Sequence, residues 1–218
     1  MPTGHEGVPE QSGEEGRSAR KHRAILEAAT TVFLDTGYQG SSVDQIAAQA
    51  AVSKQTVYKH FADKEQLFTR IILDTADQVD GLVNTVTRTL ADTDDLAADL
   101  GELANQFVAT LMQPRVLRLR RLVIANAGRF PETTRKWYEQ GFERVLGTLS
   151  SRFQHLAERG LLRLEDPLLA AHHFVGLLLW IPVNQVMFCG DDARSTDADL
   201  ARYADAAVRT FLAAYGES

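Results

Sequence analysis

From residue 18 to the end of the chain, bulky apolar residues recur every three or four positions, which restricts the fold to packed helices. Between Leu96 and Leu111, for example, the apolar residues follow one another at steps of four, three, four and four. No stretch shows the sustained alternation typical of strands, and the sequence contains no internal repeat. The pattern predicts an all-α protein of about nine helices, in which a connecting helix joins an N-terminal three-helix bundle to a larger C-terminal bundle.

Capping residues mark where the first four helices begin and end. The first helix is predicted at 18–36, with Gly37 as its terminator. Serine and aspartate followed three residues later by glutamine form capping boxes, which start helices. The predicted N-caps are Ser42 (with Gln45), Ser53, and Asp63 (with Gln66).

Composition divides the chain into three parts. Residues 1–17 are rich in Gly, Glu, Pro and Ser and are predicted to be a disordered tail. Residues 18–62 are predicted to form the N-terminal helical domain. Residues 63–218 carry most of the remaining apolar residues and are predicted to form the second domain.

Charge is distributed unevenly along an acidic chain. The net charge is −6 overall, but residues 17–64 carry +3, between acidic segments of −4 and −5. A basic block within an acidic protein indicates local contact with an anionic partner.

The single cysteine, Cys189, excludes a disulfide within the chain and a cysteine-rich zinc site. The N-terminus has no apolar segment like that of a signal peptide, and the longest apolar run, 174–183, is too short to span a bilayer. We therefore expect a cytoplasmic location.

Residues 52–61, VSKQTVYKHF, predict a short helix with a polar outer face. On a helical wheel Val57 and Phe61 point inward, Gln55 and Lys59 point outward beside Thr56, and Tyr58 and His60 flank this face. Two short helices joined by a tight turn, the second polar and basic outside, form a helix-turn-helix. Gln and Lys side chains match base edges, although polar faces of short helices are often only solvated.

Helix N-termini also attract phosphate through their backbone N–H groups. Arg17, Arg20, Lys21 and Arg23 precede the motif and are suited to contact the DNA backbone or enter a minor groove. The predicted DNA-binding residues of the motif are Ser42, Ser53, Lys54, Gln55, Thr56, Tyr58, Lys59, His60 and Lys64.

Residues 22–70 closely resemble the DNA-binding domain of TetR-family transcriptional regulators, through ILEAATTVFLDTGYQGSSVDQIAAQAAVSKQTVYKHFADKEQLF. The resemblance implies that the helix after Ser53 is the recognition helix. It also implies that Ser42, Tyr58, His60 and Lys64 contact phosphates. The family usually has Gly where Ala51 stands, and Ala is expected to be tolerated there if its φ is negative.

The C-terminal part resembles the AefR-like subgroup of that family through residues 121–162. Helices at about 166–189 and 197–214 carry more apolar residues than one small bundle needs. A homodimer formed through these two helices is the simplest explanation, and the resemblance implies the same.

Several aromatic and polar residues of the C-terminal part are candidates to bind a small hydrophobic ligand. Residues of this kind at helical spacing are more often plain core or interface. The candidates are Phe107, Met112, Trp137, Phe142, His173, Trp180 and Asn184. Four arginines, Arg115, Arg118, Arg120 and Arg121, are predicted to form a solvated face that pairs with acidic residues.

The leading hypothesis is a repressor released from operator DNA by a small hydrophobic molecule, with no cofactor and no metal. An enzyme on a helical bundle is the first alternative, but no HExxH, P-loop or nucleophile-elbow motif is present. A DNA-binding protein without a ligand is the second alternative, and it predicts no cavity in the C-terminal bundle.

Overall fold

The computed structural model describes residues 11–76 and 79–217, and within them it confirms the all-α class. The chain divides into two compact units, the first ending at Ile71 and the second beginning at Ile72.

The N-terminal unit contains the predicted three-helix bundle and the start of the next helix. Its helices are α1 (Gln11–Gly40), α2 (Val43–Gln49) and α3 (Lys54–His60), and α4 (Lys64–Ala76) begins in this unit and ends in the second. Helical geometry in α1 is broken at Gly37, whose φ is 72°, as its role of terminator predicts. The buried side chains of Phe33, Tyr38 and Phe68 pack edge-to-face or stacked, with centroids 5.0–5.9 Å apart.

Helix α1 begins at Gln11, whereas the sequence predicted disorder through residue 17. Residues 1–10 of the predicted tail lie outside the described residues. Extending a nucleated helix by one residue costs little, and α1 is nucleated by its buried residues such as Ile25, Ala29 and Phe33. Composition alone therefore placed the helix start too late.

The turn between α2 and α3 corrects the expectation for Ala51. Its φ is +52°, the left-handed conformation, and no other non-glycine residue described has a positive φ. The Val52 N–H donates to the Ala47 carbonyl at 3.0 Å and the Ala51 N–H to the Ala48 carbonyl at 3.2 Å. These two bonds form a Schellman motif, in which the left-handed residue is usually Gly. Ala51 is therefore a strained residue and not a neutral replacement.

The second unit is a helical bundle whose core is centred on three phenylalanines. Phe153, Phe174 and Phe211 come from three different helices and have ring centroids 5.0–5.9 Å apart. Its helices are α5 (Asp80–Thr89), α6 (Leu96–Leu111), α7 (Pro114–Ala125), α8 (Pro131–Tyr138), α9 (Arg144–Glu158), α10 (Pro167–Cys189) and α11 (Asp197–Tyr215), with a π-helical turn at Glu139–Glu143 and a 3-10 turn at Asp191–Ala193.

One helix prediction needs revision. The long helix predicted from Pro131 to about Gly160 is interrupted by the π-helical turn, which separates α8 from α9. Apolar spacing alone does not detect this turn, because the inward face continues across it. The fourth helix, predicted to reach the low eighties, is described to Ala76, and α5 is described from Asp80; residues 77–78 lie outside the described residues.

Helix α10 has apolar residues on all sides. Ala171, Phe174 and Leu178 are buried, whereas Trp180 and Phe188 are 73% and 85% exposed. By length and composition it is the one helix in the described part of the chain that could cross a membrane. Its buried residues pack against α9 and α11 in the manner of a core helix.

Candidate nucleic-acid interface and ligand cavity

Helix α3 is short, and its cap and two apolar residues hold it in place. The Ser53 hydroxyl accepts a hydrogen bond from the Thr56 N–H at 3.1 Å and lies 2.8 Å from the Thr56 hydroxyl. Val57 and Phe61 are buried, as predicted. The cap satisfies one donor of the first turn and the apolar pair anchors the inner face, so a polar seven-residue segment remains helical.

The outer face of α3 presents three side chains to solvent. Gln55, Tyr58 and Lys59 are exposed, and none of their side chains forms a hydrogen bond with another residue in the described part of the chain. Tyr58 keeps 47% of its surface exposed despite its large ring. We call Gln55, Tyr58 and Lys59 the outer triad. Their amide, phenol and ammonium groups are accessible to an external binding partner.

Lys54 and Thr56, also predicted to bind DNA, are engaged within the protein. The Lys54 ammonium donates to the Asp44 carboxylate at 3.0 Å and so joins α3 to α2. This hydrogen bond, with the carboxylate's charge, raises the pKa of Lys54. The Thr56 hydroxyl is hydrogen-bonded to the Ser53 hydroxyl. The side chains of Lys54 and Thr56 therefore both contribute to the geometry of the motif.

Ser42 forms the predicted capping box. Its hydroxyl accepts from the Gln45 N–H at 3.2 Å, and its own N–H donates to the Gln45 side-chain oxygen at 2.8 Å. The hydroxyl is thereby fixed at the first turn of α2.

Lys64 is occupied by backbone carbonyls. Its ammonium donates to the carbonyls of Tyr38 and Ser41, each at 2.8 Å, and lies 4.4 Å from the centroid of the Tyr38 ring. Lys64 therefore fastens the start of α4 to the turn between α1 and α2. The expectation that it contacts phosphate stays a prediction.

His60 lies half-buried against α1. Its ring meets His22 edge-on at 5.6 Å, and His22 in turn stacks on Phe61 at 4.9 Å. Burial lowers the pKa of His60, and the positive charges of His22, Lys59 and Lys21 lower it further. At neutral pH the ring is therefore uncharged and reaches phosphate only as a hydrogen-bond donor.

The C-terminal unit contains a cavity of about 200 Å³. Three predicted ligand residues, Phe107, Trp137 and Phe142, line it, and apolar side chains dominate the rest of its wall. Thr75 and Ala76, at the end of α4, also contribute to the wall. A small molecule that fills this space would touch that end of α4.

The π-helical turn shapes one side of the cavity. Gly141 and Phe142, which lie in this turn, both line the space. Turns of this kind are rare within α-helices and frequently occur at functional sites. Phe142 and Trp137 both line the cavity, and their ring centroids are 6.0 Å apart.

Four predicted ligand residues do not line this cavity. Met112 is buried in the core, while His173 and Trp180 lie along a groove between α10 and α11. There the His173 ring is hydrogen-bonded to the Tyr215 hydroxyl. The Asn184 amide donates to the Trp180 carbonyl one turn earlier on α10, at 2.7 Å. The predicted ligand residues on α10 lie outside the cavity because α10 is apolar on all sides, so its sequence does not indicate which face is buried.

Arg120 is the lining residue that the sequence interpretation missed. It was assigned to a solvated arginine face, but it lines the cavity, with its guanidinium carbon 4.6 Å from the centroid of the Phe142 ring. Its neighbour Arg121 fits the assignment, since it pairs with Asp191 at 3.1 Å. Within the described ranges, no cluster of three or more His, Cys, Asp or Glu side chains is arranged to hold a metal ion.

Comparison with known proteins decides the family. Residues 25–71 match the family described as bacterial regulatory proteins, tetR family. Residues 98–217, more than half of the chain, match the C-terminal domain of AefR-like transcriptional repressors. This chain belongs to the TetR family of bacterial transcriptional regulators.

Solved structures support the same assignment over nearly the whole chain. A TetR-family regulator of Mesorhizobium loti is 51% identical, with 92% of this chain and 99% of that chain covered and a TM-score of 0.84. The flavonoid-responsive regulator FrrA is 27% identical, covering 91% and 98% of the two chains, with a TM-score of 0.67.

The curated relatives match shorter stretches of the chain. The transcriptional activator FasR of Mycolicibacterium smegmatis is 39% identical over 71 residues, which are 33% of this chain and 31% of FasR. The chain thus spans about a third of that relative's length.

Members of the TetR family are soluble DNA-binding regulators and not enzymes. They bind operator DNA and small molecules, and they are generally dimeric.

Proposed function

We propose that this TetR-family regulator is a cytoplasmic homodimeric repressor that leaves its operator when a small hydrophobic molecule occupies the C-terminal cavity. Repression is favoured over activation because the match to AefR-like repressors covers 98–217, whereas the match to the activator FasR covers only a third of the chain. The observation that carries the proposal is the exposed outer triad on α3, a helix that is capped by Ser53 and buried on its inner face.

In the proposed complex α3 lies in the major groove of the operator. The Gln55 amide pairs with adenine and the Lys59 ammonium with guanine, as the chemistry of these side chains favours. The Tyr58 hydroxyl reaches the phosphate wall. The other predicted DNA-binding residues stabilise the geometry of the motif: Ser42, Ser53, Lys54, Thr56, His60 and Lys64. Those at helix N-termini also approach phosphates.

The proposed dimer interface is the exposed apolar surface of α10 with the adjoining part of α11. Leu177, Trp180 and Ile181 are exposed there, and all three line the groove between α10 and α11. Neighbouring large apolar side chains exposed together are typical of a protein–protein interface. A two-fold dimer would present two recognition helices to successive major grooves, about 34–36 Å apart.

The proposed switch works through α4. Thr75 and Ala76 line the cavity, and Lys64 at the other end of the same helix holds the turn that precedes α2. A ligand that displaces the end of α4 therefore acts on the helix that positions the motif. The ligand shifts the equilibrium only to the extent that it binds the released state more tightly. FrrA, a structural relative, is described as responsive to flavonoids, which supports ligand control.

A ligand-independent DNA-binding protein is the competing function. It predicts a filled C-terminal bundle, and the cavity of about 200 Å³ argues against it.

The test is a gel shift of the purified protein on DNA flanking its own gene, run across a salt series. We expect a specific shift with dimer stoichiometry that weakens steeply with salt, because phosphate contacts release counterions. Tyr58→Phe is expected to weaken the shift with no change in stoichiometry. If neither this DNA nor duplexes selected from a random pool give a specific complex, the proposal fails.

A further inference from the structure

Among the described residues that line the C-terminal cavity, which lie in 11–76 and 79–217, Arg120 is the one that carries a charge. The remaining wall consists of apolar and aromatic side chains with a few neutral polar groups, including Thr75, Thr110 and Gln113. A single cation in an otherwise apolar wall gives the cavity one point at which it distinguishes ligands by charge.

The Arg120 guanidinium has no ion-pair partner within residues 11–76 and 79–217. Its one described contact is the face of the Phe142 ring, 4.6 Å away. Arg121, the next residue, pairs with Asp191 and also donates to the Val186 carbonyl at 3.1 Å. The two neighbouring arginines therefore differ: Arg121 is hydrogen-bonded within the protein, whereas Arg120 lines the cavity and makes no hydrogen bond with another described residue.

Burial makes this arrangement costly for the protein alone. Arg120 is partly buried in the cavity wall, and because desolvation disfavours the charged form, burial lowers the pKa of its guanidinium. A ring face compensates a guanidinium only weakly, whereas a carboxylate can accept two parallel hydrogen bonds from it. An anionic ligand would complete the site.

The volume limits the size of such a ligand. An apolar cavity of about 150 Å³ holds one benzene molecule, so about 200 Å³ suits a single ring with a short substituent. The three aromatic rings of the lining, Phe107, Trp137 and Phe142, favour a flat, apolar ligand.

We infer that the cavity binds a small monocyclic aromatic acid, with its ring against Phe107, Trp137 and Phe142 and its carboxylate on Arg120. The inference deepens the proposed function by naming the ligand class and the residue that selects it. The apolar wall supplies general affinity, and Arg120 supplies the preference for an anion.

The experiment compares a matched pair of probes, 3-phenylpropanoate and the neutral 3-phenylpropanamide, by calorimetric titration of the full-length protein. Fluorescence of Trp137 gives a second readout in a Trp180→Phe background, because the chain has only two tryptophans. We expect the acid to bind with a dissociation constant of about 1 mM or tighter. We expect the amide to bind about ten- to a hundred-fold more weakly, as a lost charge-assisted hydrogen bond implies.

Two substitutions of Arg120 locate the preference. Arg120→Gln is expected to reduce acid affinity to that of the amide, and Arg120→Met to weaken the acid while keeping or improving the amide. Arg115→Gln is the matched control, since Arg115 is exposed on the same helix and does not line the cavity. Circular dichroism of each variant verifies that its helices are intact.

Equal affinity for acid and amide in the unmodified protein would overturn the inference, as would failure of both probes to bind at about 10 mM. Retention of the acid preference in both Arg120 variants would also overturn it. These binding measurements use no DNA, so they are independent of the proposed function. An acid that binds without releasing DNA contradicts ligand control, and a neutral molecule that releases DNA contradicts the anion site.

Discussion

The Lys64 ammonium donates a hydrogen bond to the Tyr38 carbonyl at 2.8 Å and also lies over the Tyr38 ring, 4.4 Å from its centroid. A second bond, to the Ser41 carbonyl, fixes the residue just before the α2 cap. One side chain thus ties three successive parts of the motif together.

Lys64→Met is expected to destabilise the N-terminal unit by about 1.5–3 kcal/mol, because the bonds lost involve a charged donor. DNA binding should fall as a consequence. The matched control is Lys59→Met, on the exposed triad, which should weaken specific binding by about 1–3 kcal/mol with no change in stability. Denaturant unfolding and DNA titration of both variants separate the two roles. A Lys64→Met protein of unchanged stability that fails to bind DNA would identify Lys64 as a phosphate contact instead.

Ala51→Gly is expected to stabilise the motif by about 0.5–1 kcal/mol. The left-handed conformation costs an alanine roughly 1–2 kcal/mol, and the substitution removes this strain. Glycine is more flexible in the unfolded chain, which offsets roughly 0.4–1 kcal/mol of the gain. Ala50 is the control, since its φ of −79° suits any residue, and Ala50→Gly should destabilise. Urea unfolding of the two variants gives the comparison, and stabilisation by both or by neither would contradict the strain at Ala51.

The N-terminal unit is expected to lose stability as the pH falls below about 6.5, the value at which an unperturbed histidine titrates. The pKa of His60 is lowered in the folded protein by burial and by the charges of His22, Lys59 and Lys21. In the window between that lowered pKa and about 6.5, the unfolded chain binds more protons, so unfolding becomes easier as pH falls.

His60→Gln should flatten this pH dependence, measured by hydrogen exchange of α1 and α3 amides relative to the unmodified protein at each pH. His155→Gln, on the exposed side of α9, serves as the control and should leave the dependence unchanged. An equally steep loss in His60→Gln would assign the effect to other groups.

Trp180→Glu is expected to convert the protein from dimer to monomer in sedimentation velocity. Trp180 is 73% exposed on α10, and a carboxylate there would be buried without a partner in the proposed interface. Ile124→Glu, on a residue of α7 that is 59% exposed, is the matched control and should leave the dimer intact. A Trp180→Glu dimer would place the interface elsewhere.

The sequence predicted the all-α class, the caps at Ser42 and Ser53, and the buried pair Val57 and Phe61, because these depend on local chemistry and helical spacing. It could not predict the sign of φ at Ala51. An alanine in place of glycine leaves the Schellman turn intact, so the substitution is visible only as backbone strain in the structure. Nor could it separate Arg120 from Arg121, which are adjacent on α7 and differ only in what the rest of the fold brings near them. The residues on α10 were confused for a related reason, because a helix apolar on all sides does not reveal its inner face.

The most direct test of the central claim measures sequence discrimination by the outer triad. Fluorescence anisotropy would compare the protein, Gln55→Ala and Lys59→Ala on a selected operator and on point-substituted duplexes, at fixed salt. We predict that each variant loses discrimination at its own base pairs, by about 1–3 kcal/mol per contact, and binds non-specific DNA nearly as before. Variants that discriminate as well as the unmodified protein would contradict the account, because α3 would then not be the helix that reads DNA.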